Sequence, residues 1–110
     1  SDQDCYVEVK SLTLGLPGGL GVFPDAVTTR GQKHLEELMA MGAQGARAAL
    51  VFCVQHTGVN RVSVARDIDA SYAQLLEQAV AAGVEVLAYG VDIAPEEQRM
   101  ALNQRLPFAL

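Results

Sequence analysis

The sequence predicts an α/β domain built on a mixed sheet, arranged as a two-layer or three-layer sandwich. Three observations carry the α/β class. Segments with the two-residue alternation of strands take turns with segments whose apolar residues recur at helical spacing. Arg47 to Val54 (RAALVFCV) is almost continuously apolar, the mark of a strand covered on both faces. Half of the 110 residues are apolar and only 19% are charged, which gives one domain the material for a core and excludes a disordered chain. Strand–helix alternation of this kind builds parallel pairs joined by right-handed crossovers.

The first strand is expected over Cys5 to Leu14. Tyr6, Glu8, Lys10 and Leu12 share one side of it, and Cys5, Val7, Val9 and Ser11 the other. Val9, between the two charges, is assigned to the core. Gly15 to Gly21 reads as a turn, and Phe23 to Val27 as extended chain, because the residue before a proline avoids the helical region. A helix starts at Thr28 or Thr29, either of which can cap it. Leu35, Leu38 and Met39 form its apolar stripe, and Gly42 or Gly45 ends it.

After the strand at Arg47–Val54, Gln55 to Arg61 leaves as a loop. The chain is then irregular to Asp69, with Val59, Val62, Val64 and Ile68 anchoring it. A second helix is capped by Asp69 or Ser71, and Ser71 with Gln74 has capping-box spacing. Tyr72, Leu75, Leu76, Ala79 and Val80 line its buried face, and Gly83 stops it. Val84 to Ile93 is a third strand whose direction the pattern leaves open. Pro95 opens a short last helix, with Glu96 and Glu97 at its positive end, and Pro107 closes it.

A net charge of −5 argues against a surface that holds nucleic acid by charge alone, while leaving room for a local basic patch. The two cysteines, Cys5 and Cys53, lack metal-type spacing and are expected as buried free thiols. No segment has the pattern of a signal peptide, and the longest apolar run, Ala48 to Val54, is far short of the roughly 20 residues of a membrane helix. A cytoplasmic location with no membrane partner is therefore expected. The glycine-rich turn lacks the Lys-Ser/Thr ending of a phosphate loop and leads into Val22-Phe23-Pro24, which is no helix start.

Chemistry centres on Glu8-Val9-Lys10. Metal-dependent phosphodiester cleavage needs carboxylates to hold a divalent ion and a positive group to orient or polarise the attacking water. Glu-x-Lys on a strand puts both on one face, as it also does for an ordinary solvated pair. A second acid is not evident: Asp2 and Asp4 lie at the start of the chain, and Asp25 follows the strand. Arg30, Lys33 and His34 share a helix face near the helix start. That arrangement suits phosphate oxygens, or equally a solvated face balanced by Glu36 and Glu37. His56 and Arg61 stand beyond the carboxyl end of a strand, where α/β sheets gather ligands, or belong to an ordinary surface loop. Asp67 and Asp69 are two apart, one of them suited to a helix cap. No nucleophile–histidine–acid set has a convincing context.

Five stretches, CYVEVKS at Cys5, FPDAVTTRG at Phe23, KHL at Lys33, EVLAY at Glu85 and RLP at Arg105, together resemble the sugar fermentation stimulation protein A (SfsA) family. The resemblance runs in order through nearly the whole chain. It implies that residues 1–110 are the family's C-terminal domain, with an OB-like N-terminal domain absent. It implies a PD-(D/E)xK (restriction-endonuclease-like) core truncated at its N-terminus, because the strand that carries the family's preceding acid is missing. In that pattern Glu8 is the metal ligand and Lys10 the catalytic lysine, with Mg²⁺ as the cofactor of the longer protein and none held tightly by this fragment. DNA is the implied partner, met by Arg30, Lys33 and His34. The implied function is DNA binding in a bacterial regulator of sugar, especially maltose, metabolism. Mg²⁺-dependent cleavage of DNA and an interaction role without catalysis are the alternatives.

Overall fold

In the computed structural model, residues 5–12, 14–16, 18–24, 26–54, 59–94 and 99–110 are described. They form seven strands and two helices: β1 Cys5–Leu12, β2 Leu14–Leu16, β3 Leu20–Phe23, α1 Thr29–Ala43, β4 Arg47–Val54, β5 Arg61–Val64, α2 Ala70–Ala81, β6 Glu85–Ala94 and β7 Arg99–Leu106. The main sheet has the order β1-β4-β6-β7. β1 pairs in parallel with β4 and β4 with β6, while β7 returns antiparallel to β6. The sheet is therefore mixed, and the third predicted strand is parallel.

Both crossovers, β1–α1–β4 and β4–α2–β6, step across the sheet in the same direction. Right-handed connections then put both helices on one face. Burial agrees. Leu12, Ala48, Leu50, Phe52, Val54, Ala88 and Leu106 point to the helices and form one core with Leu35, Leu38, Tyr72, Leu76 and Ala79. Among the described residues no helix covers the other face. There Val7 and Val9 are 51% and 56% exposed. This reverses the sequence reading of Val9. The strand's charged side is the one the helices cover, because Tyr6, Glu8, Lys10 and Leu12 lie in register beside Ala48, Leu50, Phe52 and Val54. Cys5, on the same side as Val9, is exposed and not buried; Cys53 is buried, and burial pushes its thiol up.

The helix boundaries follow from their caps. Thr28 is the N-cap of α1, its hydroxyl accepting from Gly31 N–H at 2.9 Å. At the other end, Gln44 is the C-cap and Gly45 takes a φ of 93°. Asp69, not Ser71, is the N-cap of α2.

Four strands, β2, β3, β5 and β7, depart from the sequence expectation. Glycine-rich Gly15–Gly21 does contain a turn, at Gly18 and Gly19 with φ of 86° and 84°, but its flanks pair as the hairpin β2–β3. β3 then pairs in parallel with β5, inside the stretch expected to be irregular. This second sheet, β2-β3-β5, closes one end of the core. A Cβ on Gly21 would come within 2.8 Å of both Leu12 and Val59, so only glycine permits the approach. Phe23 packs on Phe52 and Tyr72 with ring centroids 5.4 and 5.3 Å apart.

The expected last helix is replaced, over its described part, by β7. Arg99–Leu106 is rich in helix formers, yet it pairs along β6 from Ala94↔Arg99 to Ala88↔Leu106 and satisfies an edge that would otherwise stand open. Pro95, Glu96 and Glu97 lie outside the described residues. Beyond Pro107, Phe108 bridges to Val62 and stacks on Phe52 at 5.7 Å, tying the chain end to both sheets.

Candidate functional site

β1 is an edge strand of the main sheet, and its helix-facing side carries Glu8 and Lys10 beneath α1. Near Leu12 that side is closed by core. Toward Glu8 it opens, leaving the Glu8 and Lys10 side chains 34% and 14% exposed. α1 brings a third polar group. His34 stands next to Leu35, which is fully buried, so the imidazole is held over the strand at 18% exposure. His34 Nδ1 lies 2.6 Å from Lys10 Nζ and 3.1 Å from Glu8 Oε1, and Lys10 Nζ lies 3.6 Å from the same carboxylate oxygen. An acid, an amine and an imidazole thus meet at one partly buried point.

A cleft of about 280 Å³ opens on this point, lined by Tyr6, Val7, Glu8, His34, Glu37, Leu38, Ala40 and Met41. Most of these residues are apolar, and the lining includes the two carboxylates Glu8 and Glu37. Glu8, whose close side-chain neighbours at this point are Lys10 and His34, has coordination capacity left for a cation. Among the described residues no group of three or more His, Cys, Asp or Glu could hold a metal, so the cluster is one carboxylate with a neighbouring imidazole and amine.

The other sequence candidates part company here. His34 joins Glu8 and Lys10, whereas Arg30 and Lys33 remain exposed on α1 and make no ion pair among the described residues. Arg61 sits on β5, its backbone N–H donating to Gly19 O at 3.3 Å, away from this cluster. Asp67 is exposed, and Asp69 is committed to capping. His56, Asp25, Asp2 and Asp4 lie outside the described residues.

The sequence pattern places His34 on a phosphate-facing helix surface and does not show its approach to Glu8. The signal that could reveal it is the position of His34 next to Leu35 and four residues before Leu38 on the buried stripe, under a right-handed crossover from β1. Tyr72 reads from the sequence as core alone. Its ring is buried, yet its hydroxyl has no hydrogen-bond partner among the described residues.

Fold and site together define a mixed α/β domain whose edge strand presents Glu-x-Lys to a histidine on the first crossover helix. The family model described as "Sugar fermentation stimulation protein RE domain" matches residues 1–97. A sugar fermentation stimulation protein homolog from Saccharophagus degradans is 61% identical over 95 residues, covering 86% of this chain and 41% of that protein. Its counterpart from Pseudoalteromonas atlantica is 61% identical over 105 residues, covering 96% and 44%. Among solved structures, Pyrococcus furiosus SfsA in complex with Ca²⁺ is 30% identical with a TM-score of 0.85, covering 96% of this chain and 45% of that one.

This chain belongs to the sugar fermentation stimulation protein (SfsA) family. It spans less than half the length of the curated relatives described above. Among the described residues no helix is long and apolar enough to cross a membrane.

Proposed function

We propose that this domain binds DNA and that Glu8 and Lys10 are its share of a metal-dependent phosphodiester site of the PD-(D/E)xK type. The observation that carries the reading is the meeting of Glu8 and Lys10 of an edge strand with His34 of α1, beside a cleft that Glu8 and His34 line. Glu8 would hold a divalent cation, with Mg²⁺ the ordinary choice for a site of carboxylate and water ligands. Such a cation acidifies water and polarises a phosphoryl oxygen. Lys10 supplies a fixed positive charge beside it, suited to a phosphate oxygen or to orienting water. Exposed Arg30 and Lys33, near the start of α1, suit the flanking phosphates. That Pyrococcus furiosus SfsA was solved with Ca²⁺ supports a cation in the family.

A second reading, DNA binding without cleavage, is favoured by the cluster's having one carboxylate among the described residues. Under it the domain, as the C-terminal part of a longer regulator, contributes DNA contact to the control of sugar, and in particular maltose, metabolism. On the cleavage reading Glu8 is joined by a further acid that is not among the described residues.

Incubation of the full-length protein with plasmid DNA and a divalent metal separates the two. Cutting is expected to vanish in both Glu8→Ala and Lys10→Ala while binding persists. No cutting under any divalent metal, with salt-sensitive binding intact, rejects the nuclease and leaves the binding protein. The double variant Arg30→Ala/Lys33→Ala is expected to weaken binding and to flatten the slope of log K against log salt by about 2, roughly 0.9 for each phosphate no longer neutralised. An unchanged slope removes α1 from the DNA interface.

A further inference from the structure

We infer that His34 is a ligand of the cation held at Glu8, and that the Lys10 ammonium is the resident cation which the metal displaces. This rests on the proposed role of Glu8 as a cation-holding carboxylate. His34 Nδ1 faces Lys10 Nζ at 2.6 Å and Glu8 Oε1 at 3.1 Å. One ring nitrogen cannot serve both in the same way. An ammonium only donates and an ionised carboxylate only accepts. With its lone pair toward Lys10, Nδ1 meets the carboxylate as acceptor against acceptor. With a proton toward Glu8, it meets the ammonium as donor against donor at 2.6 Å. The first arrangement holds only because a positive charge stands beside both atoms.

Lys10 fills that place imperfectly. Its Nζ is at hydrogen-bonding distance from the imidazole but 3.6 Å from Glu8 Oε1, beyond a hydrogen bond. A metal ion accepts lone pairs from both at once. Two neighbouring ligand atoms, each about 2.1 Å from an ion and at right angles, lie about 3.0 Å apart. The Glu8–His34 separation of 3.1 Å matches that spacing without movement of either side chain. Metal entry would then turn Lys10 outward and free its ammonium for a phosphate.

An imidazole nitrogen also changes which metal is preferred. Mg²⁺ and Ca²⁺ favour oxygen ligands, whereas Mn²⁺ and the later first-row ions accept imidazole readily. The site is therefore selective for Mn²⁺ over Mg²⁺ and Ca²⁺. The cleft that opens on Glu8 and His34 gives the ion its way in.

The test is calorimetric titration of the full-length protein that contains this chain with Mn²⁺, Mg²⁺ and Ca²⁺, each alone, together with electron spin-echo envelope modulation of bound Mn²⁺. Mn²⁺ is expected to bind at least about tenfold more tightly than Mg²⁺ and to show modulation from an imidazole nitrogen. His34→Ala, checked for folding by circular dichroism, should abolish the modulation and weaken Mn²⁺ about tenfold or more, with Mg²⁺ shifting far less. Lys10→Met should tighten Mn²⁺ severalfold by removing the competing charge. Mn²⁺ binding that needs Glu8, lost in Glu8→Gln, but shows no nitrogen modulation and is indifferent to His34→Ala overturns the inference and leaves Glu8's role standing. Looser Mn²⁺ binding in Lys10→Met overturns the displacement. Metal binding that survives Glu8→Gln, or none at all in the unaltered full-length protein, overturns the proposed role of Glu8 itself.

Discussion

The Asp69 carboxylate accepts the backbone N–H of Thr28 at 2.9 Å across 41 residues of sequence. The acid that caps α2 therefore also fixes the start of α1. Its other contacts are the Tyr72 N–H at 2.9 Å and the Gln32 side-chain amide at 3.1 and 3.2 Å. Asp69 is 4% exposed, the one buried charged residue among those described. His34 extends from the same α1 whose first turn Asp69 holds, so the position of the candidate site over β1 depends on this carboxylate.

That geometry sets a pH dependence. Burial pushes the Asp69 carboxyl up, but the hydrogen bonds from Thr28, Tyr72, Gln32 and Ser71 outweigh it and hold the group below its ordinary range. The folded chain thus binds this proton less readily than the unfolded chain. Its stabilisation is fully present above the unfolded value of about 3.9 and is lost as pH falls through the lower folded value. Urea midpoints measured from pH 7 down to pH 3 should show an acid loss that is shallower in Asp69→Asn. At pH 7, Asp69→Ala should cost about 3 kcal/mol, since it removes a cap and strands buried N–H groups. Acid limbs of equal depth in the variant and the parent would refute the assignment.

Tyr72 makes a contrasting case. Its ring is fully buried against Phe23 and the first turn of α1, and its hydroxyl has no partner among the described residues. Burial, followed by the charges of Asp69 and Glu8, drives its ionisation far above the ordinary tyrosine range, so the phenol stays neutral. Keeping the ring while deleting the oxygen removes a desolvated group at no packing loss. Tyr72→Phe is expected to raise stability by about 1 kcal/mol in urea unfolding. A loss of that size would mean that the hydroxyl is hydrogen-bonded in solution.

What the sequence discloses depends on how local the determinant is. α1, α2 and β4 are legible because apolar spacing, caps and glycine stops lie within each segment. Asp69 is readable as a cap for α2, but not as the tie to Thr28, which needs the tertiary fold. β7 escapes the pattern because Arg99–Leu106 carries helix formers, while the unpaired edge of β6 that recruits it lies elsewhere in the chain. β5 escapes it because four residues give too short an alternation. The Glu8–Lys10 spacing is visible at once, but the approach of His34 requires knowing which side of β1 the helix covers.

That side is the point where the sequence pattern misleads, and it can be tested directly. Val7 and Val9 are the apolar residues of β1 by composition, yet they are more than half exposed, while Leu12 on the charged side is 1% exposed. The helices sit on that side because Leu12 is continuous there with Leu50, Phe52 and Val54, which supply more apolar surface than two valines. Leu12→Ala should therefore cost about 3 kcal/mol, the loss expected for a fully buried leucine. Val9→Thr keeps the branched shape, adds a hydroxyl that water can reach, and should change stability by less than about 0.5 kcal/mol. Guanidinium unfolding of both variants of this chain at pH 7 decides the matter. A cost for Val9→Thr comparable to that of Leu12→Ala would place the valines in the core, lift Glu8 and Lys10 away from α1, and separate them from His34.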